Sequence, residues 1–156
     1  MWKEIITLKD FNDMASLRSI YGCAQNIGGQ LYIDNIKRKI DCHYYKYTSG
    51  TIELIKGYAQ FDNVIKLITY TIKAGIKDYP EALRLMAEHA KEYLKDRKIK
   101  TLVIDYGYED ETQMNLANVG VGKLGFSEVV KIAKEEYEKL GFKMSFTEKQ
   151  IRNELV

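Results

Sequence analysis

The sequence predicts a single α/β domain built on a mixed α+β sheet of about six mostly antiparallel strands, with helices on both faces. Three observations lead there. Residues 39–73 hold three strand-like runs joined by short Gly- and Asn-containing separators. Leu83 to Leu94 carries an apolar stripe at helical spacing. Each of two late helical segments is followed by a short apolar run. With 156 residues, 46% hydrophobic and 29% charged, the chain has the size and balance of one domain over residues 1–156 around one core.

"EIITL" (Glu4–Leu8) reads as an opening strand. "DFNDMASLRSIYG" reads as a helix with Phe11, Met14, Leu17 and Tyr21 at helical spacing, Asp10 at its N-cap and Gly22 at its end. "QNIGGQ" (Gln25–Gln30) is a loop. "KIDCHYYKYT", "TIELIKGYAQ" and "VIKLITYTIK" form an antiparallel meander through Ser49-Gly50 and Phe61-Asp62-Asn63. The third run is apolar on both faces, Ile65 and Leu67 on one and Val64, Ile68, Tyr70 and Ile72 on the other, as in a strand covered on both sides.

Asp78-Tyr79-Pro80 starts the next helix, with proline in its first turn. Leu83, Met86, Ala87, Ala90 and Leu94 make its buried stripe. "TLVIDY" (Thr101–Tyr106) is a second buried strand. Residues 107–126 lack periodicity and are long for a structureless loop; a short helix fits around Thr112–Ala117. Ser127 caps the last helix, whose Val130, Ala133, Tyr137 and Leu140 share a face. "KMSFT" (Lys143–Thr147) is a final strand before a charged tail. "AKE" at Ala90–Glu92 and again at Ala133–Glu135, each followed at the same offset by a strand entry, marks two αβ units.

Composition excludes several classes of function. A net charge of +2, with Lys37-Arg38-Lys39 the longest basic cluster, gives no footprint for nucleic acid. No run has the length and apolarity of a membrane span. "MWKEIITLKD" mixes charge into its apolar residues, unlike a signal peptide, and Cys23 and Cys42 form no CxxC. A cytoplasmic protein with two reduced thiols is expected. The abundance of Lys, Ile, Asn and Tyr points to an A/T-rich coding genome, a bacterium or its phage.

"AKEEYEKLGF" (Ala133–Phe142) and "ITLKDFNDMASL" (Ile6–Leu17), set in this element order, resemble the GNAT superfamily of acyl-CoA-dependent N-acyltransferases. The first matches the family's late helix A-x-x-x-Y-x-K-x-G-F, and the second its opening strand and helix. The resemblance implies acetyl-CoA as cofactor and an amine as acceptor. It implies Tyr137 as the general acid that protonates the departing CoA thiolate. The bend Ile72, Lys73, Ala74, Gly75 and Lys77 would face the cofactor, and Asp105 or Glu109 would contact the amine. Tyr137 also has a plain packing role available, since Gly141 suits a helix C-cap and Phe142 the apolar residue after it.

The bend departs from the family's phosphate-binding pattern, R/Q-x-x-G-x-G/A. "KAGIKDYP" has one glycine, Gly75, and none two residues later. Asp78 would repel a phosphate and use the helix-start N–H groups for its own capping. Pro80 removes one donor, and Val130 stands where the family places an asparagine. By its residues alone the bend turns the chain rather than cradling phosphate. "GVGKLG" (Gly120–Gly125) fits G-x-G-x-x-G before a helix, but no strand leads directly into it, so a loop is the better reading.

Other chemistry-bearing residues have structural readings. Cys42 and His43, as strand neighbours, point to opposite faces and make no nucleophile–base pair. His89, with no partner four residues on, reads as an exposed or rim histidine, and "EDE" (Glu109–Glu111) as a solvated loop. Tyr44, Tyr45, Tyr47, Tyr58 and Tyr70 either form an outer partner-binding patch or pack across strands. Two functions are therefore carried forward: an N-acyltransferase, placed first on family base rate, and a non-catalytic protein-binding module on the same scaffold, possible for a phage-borne protein. Acyl acceptor and oligomeric state are not encoded in readable form.

Overall fold

The computed structural model describes residues 1–5, 41–105, 126–147 and 150–156. In chain order these form β1 (Trp2–Ile5), β2 (Cys42–Ser49), β3 (Ile52–Phe61), β4 (Val64–Lys73), a 3₁₀ turn (Ile76–Asp78), α1 (Tyr79–Arg97), β5 (Thr101–Asp105), α2 (Phe126–Lys139), β6 (Phe142–Phe146) and β7 (Gln150–Leu155). The seven described strands make one sheet in the order β1-β2-β3-β4-β5-β7-β6. Every pairing is antiparallel except β4 with β5. The meander formed as its alternation and tight separators dictate, with Gly50 (φ 56) and Asp62 (φ 53) in the left-handed turn positions. The helix expected at Asp10–Gly22 and the loop at 107–125 lie outside the described residues.

Two expectations need correcting. The first concerns β4. Its pairing with β3 shifts between Gly57 and Tyr58, so that Gly57 faces Thr69 while Tyr58 faces Leu67, leaving Ile68 as the extra residue of a bulge. One extra residue inverts a period of two. Leu67, Tyr70 and Ile72 therefore face the same side as Tyr58, Lys56 and Leu54, where strict alternation had put Leu67 opposite Tyr70 and Ile72. The second concerns the tail. Gln150–Leu155 is a strand in the interior of the sheet, between β5 and β6.

α1 and α2 pack side by side on one face of the sheet. Tyr79, Leu83, Met86, Ala87, Ala90 and Leu94 of α1 join Leu54, Tyr58, Ile72, Leu102, Tyr137 and Met144 in one buried core. Each large apolar side chain fully buried there adds about 1.5–3 kcal/mol. Pro80 occupies the first turn of α1, and Lys98 (φ 57) closes its last turn by donating its N–H to Leu94 and Lys95 carbonyls. α2 begins at Phe126, one residue before the expected cap, and Gly141 (φ 96) ends it as expected. The other sheet face carries buried Ile5, Tyr44, Ile55, Ala59 and Val103. Among the described residues no helix is long and apolar enough to cross a membrane.

β7 also holds an anomaly. Asn153 is fully buried, opposite Leu102 on one side and Met144 on the other, and among the described residues neither its Oδ1 nor its Nδ2 has a hydrogen-bond partner. A buried amide without partners costs about 1–3 kcal/mol. Asn153→Leu, of similar size, should raise stability by about that amount. A urea titration should show a higher midpoint at unchanged slope.

Candidate active site

The bulge and the parallel junction together shape a wedge. β4 pairs with β5 at only three positions, Val64–Thr101, Ile65–Leu102 and Lys66–Val103. Beyond Lys66, β4 continues to Lys73 with no β5 partner, so the strands part and, among the described residues, the edge of β4 facing β5 is left open. The helix-facing walls below this opening are Leu67 and Tyr70 of β4, Ile104 of β5, Met86 of α1, and Ala133 and Tyr137 of α2. They enclose a cavity of about 30 Å³, apolar and of single-water size.

Tyr137 reaches this wall because its helix stripe (Val130, Ala133, Tyr137) points into the core, with the ring packed on Phe142 at 5.3 Å. It is 3% exposed. Burial first, and the neighbouring Tyr70 second, push its hydroxyl above the ordinary phenol range, so it stays protonated at neutral pH. A protonated phenol on a dry wall can donate a proton and cannot act as a base.

The bend at the mouth of the wedge is simpler than a phosphate cradle. Gly75 is extended (φ −67, ψ 161), and a Cβ there would meet only Asp78 Oδ2 at 3.8 Å, so neither angle nor space requires glycine. Its carbonyl accepts from the Asp78 N–H at 2.9 Å, closing the 3₁₀ turn. Ile72 and Ala74 are buried in the core, while Lys73 pairs with Glu53 at 3.2 Å and Lys77 is exposed. The expected capping by Asp78 is not made. Its carboxylate has no cap hydrogen bond and instead accepts from Thr51 Oγ1 at 3.0 Å, which keeps a negative charge beside the start of α1.

No protein-family model and no curated protein matches the sequence. Solved structures do match along the whole chain. The ribosomal-protein-S18-alanine N-acetyltransferase from Escherichia coli aligns with a TM-score of 0.54 at 12% identity, over 99% of this chain and 93% of that one. The aminoglycoside 6'-acetyltransferase type Ii aligns with a TM-score of 0.56 at 12% identity, over 100% of this chain and 97% of that one. The chain has the GNAT fold. Within that fold Tyr137 lies on the wall of the wedge, and the bend at Ile72–Lys77 follows the end of β4 that has no β5 partner. Asp105's side chain, Glu109 and the glycine run 120–125 lie outside the residues that can be described.

A second constellation on this GNAT scaffold was not foreseen. Lys56, in the middle of β3, is fully buried under α1. Its Nζ donates to the Met86 carbonyl at 3.2 Å and lies 4.2 Å from the Trp2 ring centre and 4.9 Å from that of Tyr58. No carboxylate pairs with it among the described residues. His89 completes the box. Half-buried at the rim, its ring packs against Trp2 (4.8 Å) and Tyr45 (4.5 Å), and its Nδ1 is 3.2 Å from the Tyr58 hydroxyl. Burial, then the nearby Lys56, push its pKa down to about 3. Burial likewise drives the Lys56 amine well below the ordinary lysine value.

The tyrosine cluster is thus cross-strand and helix packing, not an outer patch: Tyr44 and Tyr58 are fully buried, and Tyr58 stacks on Tyr93 of α1 at 4.2 Å. Cys42 and His43 diverge as expected. His43 sits between Glu4 Oε1 (2.8 Å) and Asp41 Oδ1 (3.0 Å), tying β1 to β2. Cys42 is a free thiol whose pKa is raised by burial and by Asp41, which makes it a poor nucleophile.

Proposed function

We propose that the chain is an acyl-CoA-dependent N-acyltransferase that moves an acetyl group from acetyl-CoA to an amine. The observation that carries this reading is the wedge: an open β4 edge beside a dry cavity, with a protonated Tyr137 on its wall. The open edge of β4 suits the amide-bearing arm of the cofactor, since its backbone N–H and C=O groups can pair with that arm as with a strand. Ile72, Lys73, Ala74, Gly75 and Lys77 would line its path. Bound there, acetyl-CoA supplies an activated acyl carbonyl.

The protein's own part is to exclude water and hold a proton. Tyr137 would supply that proton to the leaving sulfur of the cofactor. The phenol's raised pKa does not defeat this step. The same dry wall that disfavours a phenolate also disfavours a thiolate, so both groups rise together.

The bend supports a second reading. Lys73 is engaged with Glu53, and Asp78 keeps its charge at the helix start, so the phosphate end of the cofactor lacks the family's cradle. A protein-binding descendant that has lost the cofactor would look the same there. Calorimetric titration with acetyl-CoA and CoA separates the two. Saturable micromolar binding, with the backbone amides of Leu67–Lys73 protected from hydrogen exchange, is the expected result. No heat at millimolar CoA would remove the enzyme reading and turn the search to protein partners.

A further inference from the structure

At the end of the sheet opposite the wedge, α1 and α2 finish and β5 begins beside the end of β7. Between these ends lies an open cleft of about 470 Å³, within the size range of small-molecule sites. Lys91, the first α1 residue to line it, lies twelve residues past Tyr79, a rise of about 18 Å from the bend. Lys91, Lys95, Lys98 and Lys100 all line it. Lys91 and Lys95 are four apart on one helix face, Lys98 is the left-handed cap, and Lys100 enters β5.

Like charges so placed repel one another, which is unfavourable unless an anion joins them. The exposed carbonyls at the end of α1 amount to about half a negative charge, too little to neutralise the group. Glu92 and Asp96, the acids beside these lysines on α1, do not line the cleft. Glu138 of α2 and Glu154 of β7 are held elsewhere, by Lys134 at 3.8 Å and by Arg152 at 3.1 Å. None of the lining lysines has an ion pair among the described residues. The floor between them is apolar: Ile99, Leu140 and Leu155.

We propose that this cleft binds a small polyanion with a flat apolar body, of the nucleoside-polyphosphate class. The phosphates would meet the lysine rim and the base would lie on the Ile99–Leu140–Leu155 floor. This goes beyond the acyl-transfer reading and does not depend on it.

The test is titration of the full chain with ATP and, separately, inorganic tripolyphosphate, at low ionic strength and at about 0.15 M salt. ATP should bind saturably, and about tenfold more weakly in Lys95→Glu and in Lys100→Glu, both exposed positions. Tripolyphosphate should bind about tenfold more weakly than ATP, because it lacks a body for the floor. Both charge reversals should leave CoA protection of the Leu67–Lys73 amides intact, which separates this site from the wedge. Absence of ATP binding at low salt overturns the proposal, as does binding that both charge reversals leave unchanged. Equal binding of tripolyphosphate overturns the assignment of an apolar body.

Discussion

Lys56→Met should make the protein more stable, by about 1–4 kcal/mol, the range found when a buried ionisable group gives way to a well-packed apolar one. A lysine in a core is normally held by a carboxylate; among the described residues this one has a single carbonyl and two ring faces. Cation–π contact offers up to about 2 kcal/mol, whereas taking an ammonium out of water costs several. Burial therefore disfavours the charged amine, and over the pH range between its folded and unfolded values folding must strip a proton that the unfolded chain holds.

The pH dependence follows from that. A lowered lysine pKa means the unfolded state binds more protons between the folded value and the ordinary 10.5. The associated stability is complete above 10.5 and is lost as pH falls toward the folded value. Wild-type stability should therefore rise with pH on the alkaline side up to about 9.5, before tyrosine ionisation in the unfolded chain intervenes near 10. In Lys56→Met this climb should flatten. His89 adds a separate acid limb: its contribution is complete above 6.5 and is lost as pH falls toward about 3. That limb should survive in Lys56→Met. Urea midpoints across the pH range would read both, and an unchanged alkaline slope in Lys56→Met would show that the amine is charged in its box.

Tyr137→Phe should lower acetyl transfer by about 10²-fold or more, the scale of losing a positioned general acid, while CoA binding stays within about twofold. The ring remains to fill the wall and pack on Phe142, so folding should be unaffected. Because burial holds the phenol protonated beyond the ordinary range, wild-type activity should show no alkaline loss from Tyr137 ionisation below about pH 10. A variant that keeps full turnover would reduce Tyr137 to a packing residue and move the acid role elsewhere on the wedge.

Much of the framework was legible because period and turns agree. Cys42 to Lys73 alternates between tight Gly and Asn separators, and Leu83 to Leu94 repeats at helical spacing. What escaped notice depends on partners that the local pattern does not name. The bulge at Ile68 exists only relative to β3, so Leu67 was assigned to the wrong side. β7 passed for a charged tail because its inward row includes Asn153 where an apolar residue was expected. Lys56 lies in an ordinary strand pattern, and His89 stands beside Glu88 and Lys91, a setting that reads as solvated; Lys56 is buried under α1, and His89 is half-buried against Trp2. Tyr137 was accessible from its helix signature, but its meeting with Tyr70 across the wedge was not.

The three-residue seam between β4 and β5 has a mechanical side. It is the shortest pairing in the described sheet, joining a four-stranded half (β1–β4) to a three-stranded half (β5, β7, β6). The halves are riveted at one corner and bridged by α1 and α2, so the sheet can flex about that corner like a pair of tongs. A guest between the jaws would then act as a missing rung, and stiffness would be something the protein acquires from what it holds.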